Sequence, residues 1–338
     1  MNARNNREVW VLGEQRDGRV LPVTHELLTR GRALADACGA LLSVVLCGDA
    51  VGEGDMAELG ERGADLVVAI EAPELAHFDC ERYTACLMEL AGERDPEIFI
   101  AAATTTGRTL MPYLAIKANT GLTADCTGLE IDPQTGLLLQ TRPAIGGNVM
   151  ATIKTPSHRP QMATVRPRST APAPRVPGRT GTIERRTPKP ETLASRVRRT
   201  GFIPREESHD IAEADRIVCV GRGVRKAEGI APARRLAERL GAAIGGTRDA
   251  VDRGWLSYPH QIGLSGKTVA PALYVGLGVS GAIQHIAGMQ TAGTIVAVNA
   301  DPDAWIFRFA DFGIVGDLFE AVPAIIEALP GASAEEKK

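Results

Sequence analysis

The stretch richest in potential chemistry is Gly276-Leu277-Gly278-Val279-Ser280-Gly281, a G-x-G-x-x-G run behind the apolar segment Ala272–Val275. Glycines at that spacing allow a tight turn and close approach of backbone amides to a diphosphate. A helix opening just after them would offer free N–H groups and its positive dipole end to the same anion. Asp301 lies twenty residues past Gly281, after the apolar segment Thr294–Val298, where a carboxylate can hold a ribose hydroxyl. These features together specify a dinucleotide and leave the choice between NAD and FAD open. Gly221-Arg222-Gly223 follows Arg216–Val220 and adds an arginine able to grip a phosphate through two parallel hydrogen bonds. A plain strand–helix turn with a surface arginine would use the same residues. Gly246-Thr247-Arg248-Asp249 and Gln261-Ile262-Gly263-Leu264-Ser265-Gly266-Lys267 are further loops of this kind, each of which alone reads as an ordinary connection.

Other chemistries fit less well. Gly278-Val279-Ser280-Gly281-Ala282 approximates the nucleophile elbow of serine hydrolases, but Ala282 stands where that turn needs glycine. The only histidine after Ser280 is His285, too near to act as a distant triad base. An NAD-dependent dehydrogenase would use the same glycine run and would need a catalytic acid–base pair, which is not evident. A non-redox nucleotide-binding module is a third class. Six cysteines (Cys38, Cys47, Cys80, Cys86, Cys126 and Cys219) include no C-x-x-C pair, so there is no zinc or iron–sulfur pattern, and single thiols suit a reducing cytoplasm.

These loops need strands to carry them. From residue 8 to 117, apolar runs at Glu8–Leu12, Leu41–Cys47, Leu66–Ile70 and Ile98–Ala103 alternate with helical spacing at Leu21–Cys38, Met56–Arg62, Arg82–Ala91 and Gly107–Lys117. Short apolar strands between helices predict a parallel sheet covered on both faces. From Gly128 to Phe202 the pattern turns β-like, with strands expected at Leu137–Thr141, Asn148–Ile153 and Gln161–Val165. Ser157–Pro190 holds seven prolines and eight Lys or Arg against one Glu, and reads as a solvated connection or edge strand rather than a basic binding arm.

A second alternation then begins: strand Arg216–Val220, helix Lys226–Leu240, strands Ala242–Ile244 and Ala272–Val275, a helix opening at Gly281–Ala287, strands Thr294–Val298 and Ile314–Val315, and helix Asp317–Leu329. The fold class is α/β in two domains, the second a small doubly wound, Rossmann-like sheet. Boundaries are expected at 1–208 and 209–330, with a flexible tail at 331–338 and a hinge near 203–212.

Lys and Arg number 38 against 41 Asp and Glu, and aromatic residues make up 4% of 338. That balance gives no reason to expect nucleic acid. No stretch nears the roughly 18 apolar residues of a membrane span, and no apolar signal region follows the polar start. A cytoplasmic protein is expected.

The blocks Gln261–Pro271, Leu273–Met289 (LYVGLGVSGAIQHIAGM), Thr294–Pro302 and Ala310–Leu318 resemble the α subunit of electron-transfer flavoproteins, and weaker resemblance at Thr120–Asp125 and Ala144–Pro167 extends it over nearly the whole chain. The resemblance implies an N-terminal α/β domain of nucleotide-hydrolase type that packs with a smaller β subunit and carries no redox cofactor. It implies one FAD in the C-terminal domain. By the same similarity Arg222, Ser280 and Gly281 contact the pyrophosphate, and Asn299, Asp301 and Asp317 the adenosine side. Gln261, Ser265 and His285 surround the flavin ring, with Ser265 donating to N5 and His285 near the N1–C2 edge, and Arg248 lies against the ring. Gly223, Thr247, Gly263, Gly266, Gly278, Ala282, Gln284 and Leu318 complete the implied contact set. Leu264 replaces a common Gln, so only its backbone is expected to contribute.

A fixed guanidinium beside the ring favours an anionic semiquinone. One charge-assisted hydrogen bond of about 1.5–3 kcal/mol corresponds to roughly 60–130 mV in a one-electron couple. Arg142–Ile153, His158–Pro167 and Ser265 resemble subunits of the electron-bifurcating group. That resemblance implies a partner β subunit with a second FAD or AMP, NADH and ferredoxin as redox partners of the complex, and an acyl-CoA dehydrogenase-type flavoprotein. The simple type, a single-FAD carrier from acyl-CoA dehydrogenases to a quinone-linked acceptor, is the alternative.

Overall fold

The computed structural model describes residues 7–144, 149–201 and 211–329. The chain forms two compact units, Met1–Phe202 and Ile203–Lys338. The expected boundary between 208 and 209, most of the expected hinge, the tail 331–338 and residues 145–148 lie outside the described residues.

In the first unit the expected alternation runs through β1 (Glu8–Gly13), the short pair β2 (Gln15–Arg16) and β3 (Arg19–Val20), α1 (Pro22–Cys38), β4 (Leu41–Gly48), α2 (Glu53–Glu61), β5 (Leu66–Glu71), α3 (Cys80–Arg94), β6 (Ile98–Ala102) and α4 (Thr105–Lys117). There follow β7 (Leu122–Cys126), β8 (Gly128–Ile131), β9 (Leu138–Pro143), β10 (Met150–Ile153), β11 (Gln161–Val165) and β12 (Thr182–Arg186). Seven parallel strands form one sheet in the order β12-β5-β4-β1-β6-β11-β7, and β8, β9 and β10 form an antiparallel sheet.

The apolar runs are continuous because both faces are buried. Val9 and Val11 join one core with Leu42, Val44 and Ile100, while Trp10 and Leu12 join another with Val45, Val68 and Phe99. Helix α1 starts with proline in its first turn and ends on Gly39 at φ 61°. It packs tightly because Gly31 has no side chain: a Cβ there would lie 2.7 Å from Leu42 and Val11 methyls.

The β-like stretch from residue 128 supplies strands to both sheets. β11 enters the main sheet between β6 and β7, and β12 closes its edge beside β5. The arginines of 157–190 are largely neutralised within the unit: Arg159 pairs with Glu97, Arg166 with Asp125, Arg175 with Glu61, Arg185 with Glu71 and Arg186 with Glu93. That agrees with a connection and an edge strand.

The second unit holds β13 (Arg216–Val220), α5 (Ala231–Leu240), β14 (Ala243–Gly246), α6 (Arg248–Asp252), β15 (Leu273–Leu277), α7 (Ile283–Ile286), β16 (Thr294–Asn299), β17 (Phe312–Val315) and α8 (Leu318–Ala328). Its five strands are parallel in the order β14-β13-β15-β16-β17. One face packs through Val218, Val220, Val275, Leu277 and Val298, the other through Ile217, Cys219, Tyr274, Ile295 and Ala297. The helix expected over Lys226–Leu240 begins only at Ala231, after a 3-10 turn at Ala227–Ile230, with a proline in its first turn. Gly229 within that turn packs closely, since a Cβ there would meet the Val224 carbonyl oxygen at 2.0 Å.

Candidate functional site

From β13 the chain crosses to β14 on one side and returns to β15 on the other, so the sheet's switch point lies between β13 and β15. Open parallel sheets bind ligands outside the carboxyl ends of strands at such a point. Here a cleft of about 790 Å³ opens, lined by the loops that follow β13, β14, β15 and β16 and by the loop before β15. Its size is in the range of small-molecule and cofactor sites.

Two glycine turns cross at the centre. The Gly223 N–H donates to the Gly278 carbonyl at 3.0 Å, and a Cβ on Gly221 or Gly223 would stand 2.3 or 2.5 Å from Gly278 backbone atoms. Gly278 is itself left-handed at φ 62°, and a Cβ there would sit 2.6 Å from Gly223 Cα. The crossing therefore admits only glycine and keeps the cleft floor low. Beyond it the backbone amides of Ser280, Gly281 and Ala282 have no acceptor among the described residues. Gly281 turns at φ 84° against Ile306. The helix expected to open over Gly281–Ala287 is a short one, α7 having four residues, and the turn after Gly221 is a 3-10 turn at Arg222–Val224 rather than the start of α5. For an anion placed here the loop amides are available as donors, and a helix of four residues offers little dipole.

Each arginine of the cleft faces an acid. Arg222 Nε lies 3.8 Å from Asp249 Oδ2, and Arg248 Nε 3.2 Å from Asp252 Oδ2. Asp249 also meets Arg253 at 3.4 Å. These are exposed pairs of small worth, so a diphosphate can compete for either guanidinium. Asn299 Nδ2 donates to the Val279 carbonyl at 2.8 Å and its Oδ1 accepts from the Asp301 N–H at 3.0 Å, which fixes Asp301 at the end of β16.

The opposite end of the cleft is built by the loop before β15. Gln261 Nε2 donates to Ser265 Oγ at 2.9 Å, and Tyr258 donates to the Ser265 carbonyl at 2.8 Å. With its oxygen accepting from Gln261, the Ser265 hydroxyl keeps its own hydrogen to donate. The Leu264 N–H donates to the Gln284 carbonyl at 2.8 Å, which ties this loop to α7 and leaves the Leu264 side chain 65% exposed. His285 is buried. Its Nδ1 lies 3.0 Å from the Ile262 carbonyl and its Nε2 2.7 Å from the Tyr274 hydroxyl. Burial, opposed by the Ile262 hydrogen bond, lowers its pKa to about 4, so the ring is neutral at pH 7.

The cleft thus brings together Arg222, Gly223, Thr247, Arg248, Gly263, Leu264 and Ser265 with Gly278, Ser280, Gly281, Ala282, Gln284, His285, Asn299 and Asp301. Gln261 supports Ser265 from behind, and Gly266 packs on Gln261, where a Cβ would lie 2.3 Å from its carbonyl oxygen. Asp317 caps α8 by accepting from the Phe319 N–H at 2.9 Å and pairs with Arg225 at 3.0 Å, while Leu318 packs in the core. Neither lines the cleft. Sequence reasoning missed Asp252 as a counter-ion and Tyr274 as a partner of His285. The i,i+4 spacing of Arg248 and Asp252 was the available signal for the first. A stacked pair of glycine turns, free amides, two arginines and a serine donor fit a dinucleotide with a diphosphate.

Comparison with known proteins gives the family. Residues 9–191 match the electron transfer flavoprotein domain, and residues 210–290 the electron transfer flavoprotein FAD-binding domain. An electron transfer flavoprotein subunit alpha of Thermoanaerobacterium thermosaccharolyticum is 46% identical, with 96% of this chain and 98% of that one covered. The acryloyl-CoA reductase electron transfer subunit beta of Anaerotignum propionicum is 41% identical over 96% of this chain and 95% of its own. The lactate dehydrogenase (NAD(+),ferredoxin) subunit LctC of Acetobacterium woodii is 39% identical over 96% of this chain and 77% of its own. With a two-unit α/β chain, a cleft of cofactor size in the second unit and relatives of this similarity along nearly its full length, the chain belongs to the electron transfer flavoprotein family as an alpha subunit, an electron-transfer protein whose cofactor is FAD.

Proposed function

We propose that this chain holds one FAD in the cleft of its second unit and relays single electrons within a heterodimer with a β subunit in the cytoplasm. Bound there, FAD supplies a ring that takes up and gives back electrons one at a time. Arg222 and the amides of Ser280, Gly281 and Ala282 hold the diphosphate. Asn299 and Asp301 orient the adenosine side, with Asp317 and Leu318 fixing α8 behind them. Arg248 brings a permanent positive charge to the ring, and the Ser265 hydroxyl, held by Gln261, donates a hydrogen bond to it. His285 closes the site as a neutral ring and excludes water from that side. The run of unengaged amides beside Arg222, in the same cleft as the free Ser265 donor, carries this reading.

We further propose that the electrons pass to or from an acyl-CoA dehydrogenase-type flavoprotein, in a complex that oxidises NADH, reduces ferredoxin and carries a second FAD in the β subunit. The support lies in the names of two relatives, an acryloyl-CoA reductase electron transfer subunit and a lactate dehydrogenase (NAD(+),ferredoxin) subunit. Stepwise anaerobic reduction of the purified heterodimer tests it. Two FAD per heterodimer and reduction by NADH are expected. One FAD with AMP in the partner, and no reaction with NADH, would replace this reading by a single-FAD carrier between acyl-CoA dehydrogenases and a quinone-linked acceptor.

A further inference from the structure

His285 sits between two groups with unequal hydrogen-bonding abilities. The Ile262 carbonyl, 3.0 Å from Nδ1, can only accept, so Nδ1 carries the proton. On a neutral ring Nε2 is then a bare acceptor, and the Tyr274 hydroxyl at 2.7 Å must donate to it. Both nitrogens are thereby committed inside the protein.

The sequence explains how a strand residue reaches so far. Tyr274 and Gly276 point to the same face of β15, two positions apart. Because Gly276 has no side chain, the Tyr274 ring lies along the strand toward its carboxyl end: a Cβ on Gly276 would stand 3.2 Å from Tyr274 Cε1 and 3.7 Å from its hydroxyl oxygen. The first glycine of the G-x-G-x-x-G run therefore makes room for a phenol below the crevice, apart from any turn it permits. Tyr274 is fully buried, and the Cys219 sulfur, on the neighbouring β13, lies 3.9 Å from His285 Nε2.

The titratable groups facing the imidazole are the Tyr274 phenol and the Cys219 thiol, both pushed up by burial. The loop Gln261–Gly266 contributes a carbonyl and no charge. Arg222, Arg248, Asp249, Asp252 and Asp301 line the same cleft, yet none has a hydrogen bond or ion pair to the ring among the described residues.

We propose that Tyr274 is a positioning residue of the site: its hydroxyl, donated to His285 Nε2 from beneath the cleft, locks that ring as the neutral tautomer protonated on Nδ1, so His285 faces the cofactor without charge and without a free ring N–H. The consequence for the cofactor rests on the cleft being the flavin site; the tautomer itself does not. The positive charge of the cleft then comes from its arginines, Arg222 and Arg248, and not from the histidine.

Nitrogen-15 spectra of the FAD-loaded heterodimer, labelled in histidine and assigned with His285→Gln, read the tautomer directly. The expected wild-type result at pH 7 is a protonated Nδ1 and an unprotonated, hydrogen-bonded Nε2. In Tyr274→Phe the Nε2 signal moves to the position of an acceptor without a donor. Gly276→Ala, which displaces the phenol while leaving its hydroxyl in the chain, moves it the same way. A wild-type His285 that is charged or protonated on Nε2 overturns the proposal, and needs no variant to fold. So does a Tyr274→Phe protein whose His285 signals are unchanged. FAD absorbance of the same sample separates the two readings: a protein without FAD removes the flavin assignment, while its nitrogen signals still decide the tautomer.

Discussion

Replacing Gly278 by alanine strikes the crossing on which the cleft is built. Gly278 has φ 62°, and a side chain there costs about 1–2 kcal/mol for the left-handed backbone alone. The new Cβ would also stand 2.6 Å from Gly223 Cα and 3.0 Å from its N and C, all backbone atoms that yield only if the two turns separate. Such overpacking costs typically about 1–3 kcal/mol, and separation stretches the Gly223 N–H to Gly278 carbonyl bond, worth about 1 kcal/mol. The expected loss is roughly 3–6 kcal/mol, a large part of a net stability of about 5–15 kcal/mol. Gly241→Ala is the internal control. Gly241 ends α5 at φ 59°, and an added Cβ would meet nothing within 4 Å, so only the backbone cost of about 1–2 kcal/mol applies. Urea titration of the heterodimer, followed by flavin fluorescence and circular dichroism, gives both stabilities and the FAD retained. Gly278→Ala should lose FAD and be the less stable of the two by about 2 kcal/mol or more. Equal midpoints with full FAD in both variants would refute the close-crossing argument.

Three other outcomes follow from the same structure. Arg222→Ala should weaken FAD binding about 10–100-fold, the worth of one charge-assisted contact of about 1.5–3 kcal/mol, and an unchanged dissociation constant would remove Arg222 from the diphosphate site. His285 has a folded pKa of about 4 against its ordinary 6.5, so between those values the unfolded chain binds more protons and stability rises with pH. Acidifying from pH 6.5 toward 4 should cost about 1.4 kcal/mol per unit, levelling off above 6.5, and His285→Gln should flatten that slope by the same amount; identical slopes would contradict the buried neutral ring. Leu46→Ala, in the core of the first unit, should destabilise that unit by about 2–5 kcal/mol while folded heterodimer keeps its FAD, as read by denaturation and flavin absorbance.

Strands buried on both faces were the most legible part of the sequence. β1, β4, β6 and β13 are continuous apolar runs, and β11 and β13 match their expected spans. Sheet order was not legible. Nothing local in Gln161–Val165 says that it pairs between β6 and β7, because that choice is made by residues distant in sequence. β12 carries a Glu and two Arg in five residues, so an edge strand held by ion pairs gave no apolar signal. In the site, glycine spacing and strand context marked the two turns that cross. Helix lengths there were overestimated, because close packing ends them: Gly288 lies against Gly263, where a Cβ would be 2.5 Å from the Gly263 nitrogen. Tyr274 looked like any core residue of an apolar strand, and its reach to His285 depends on the empty space above Gly276. Asp317 and Leu318 carry the family resemblance, yet in the fold they are a helix cap and a core residue.

Photolabelling of the intact heterodimer with an azido derivative of FAD, followed by peptide mapping, locates the cofactor between the two subunits and within this chain. Label is expected on this chain, in the peptides that contain Arg248, Ser265 or His285, with suppression by excess FAD. Label confined to the β subunit, or none that FAD displaces from this chain, would contradict the placement of FAD in this cleft.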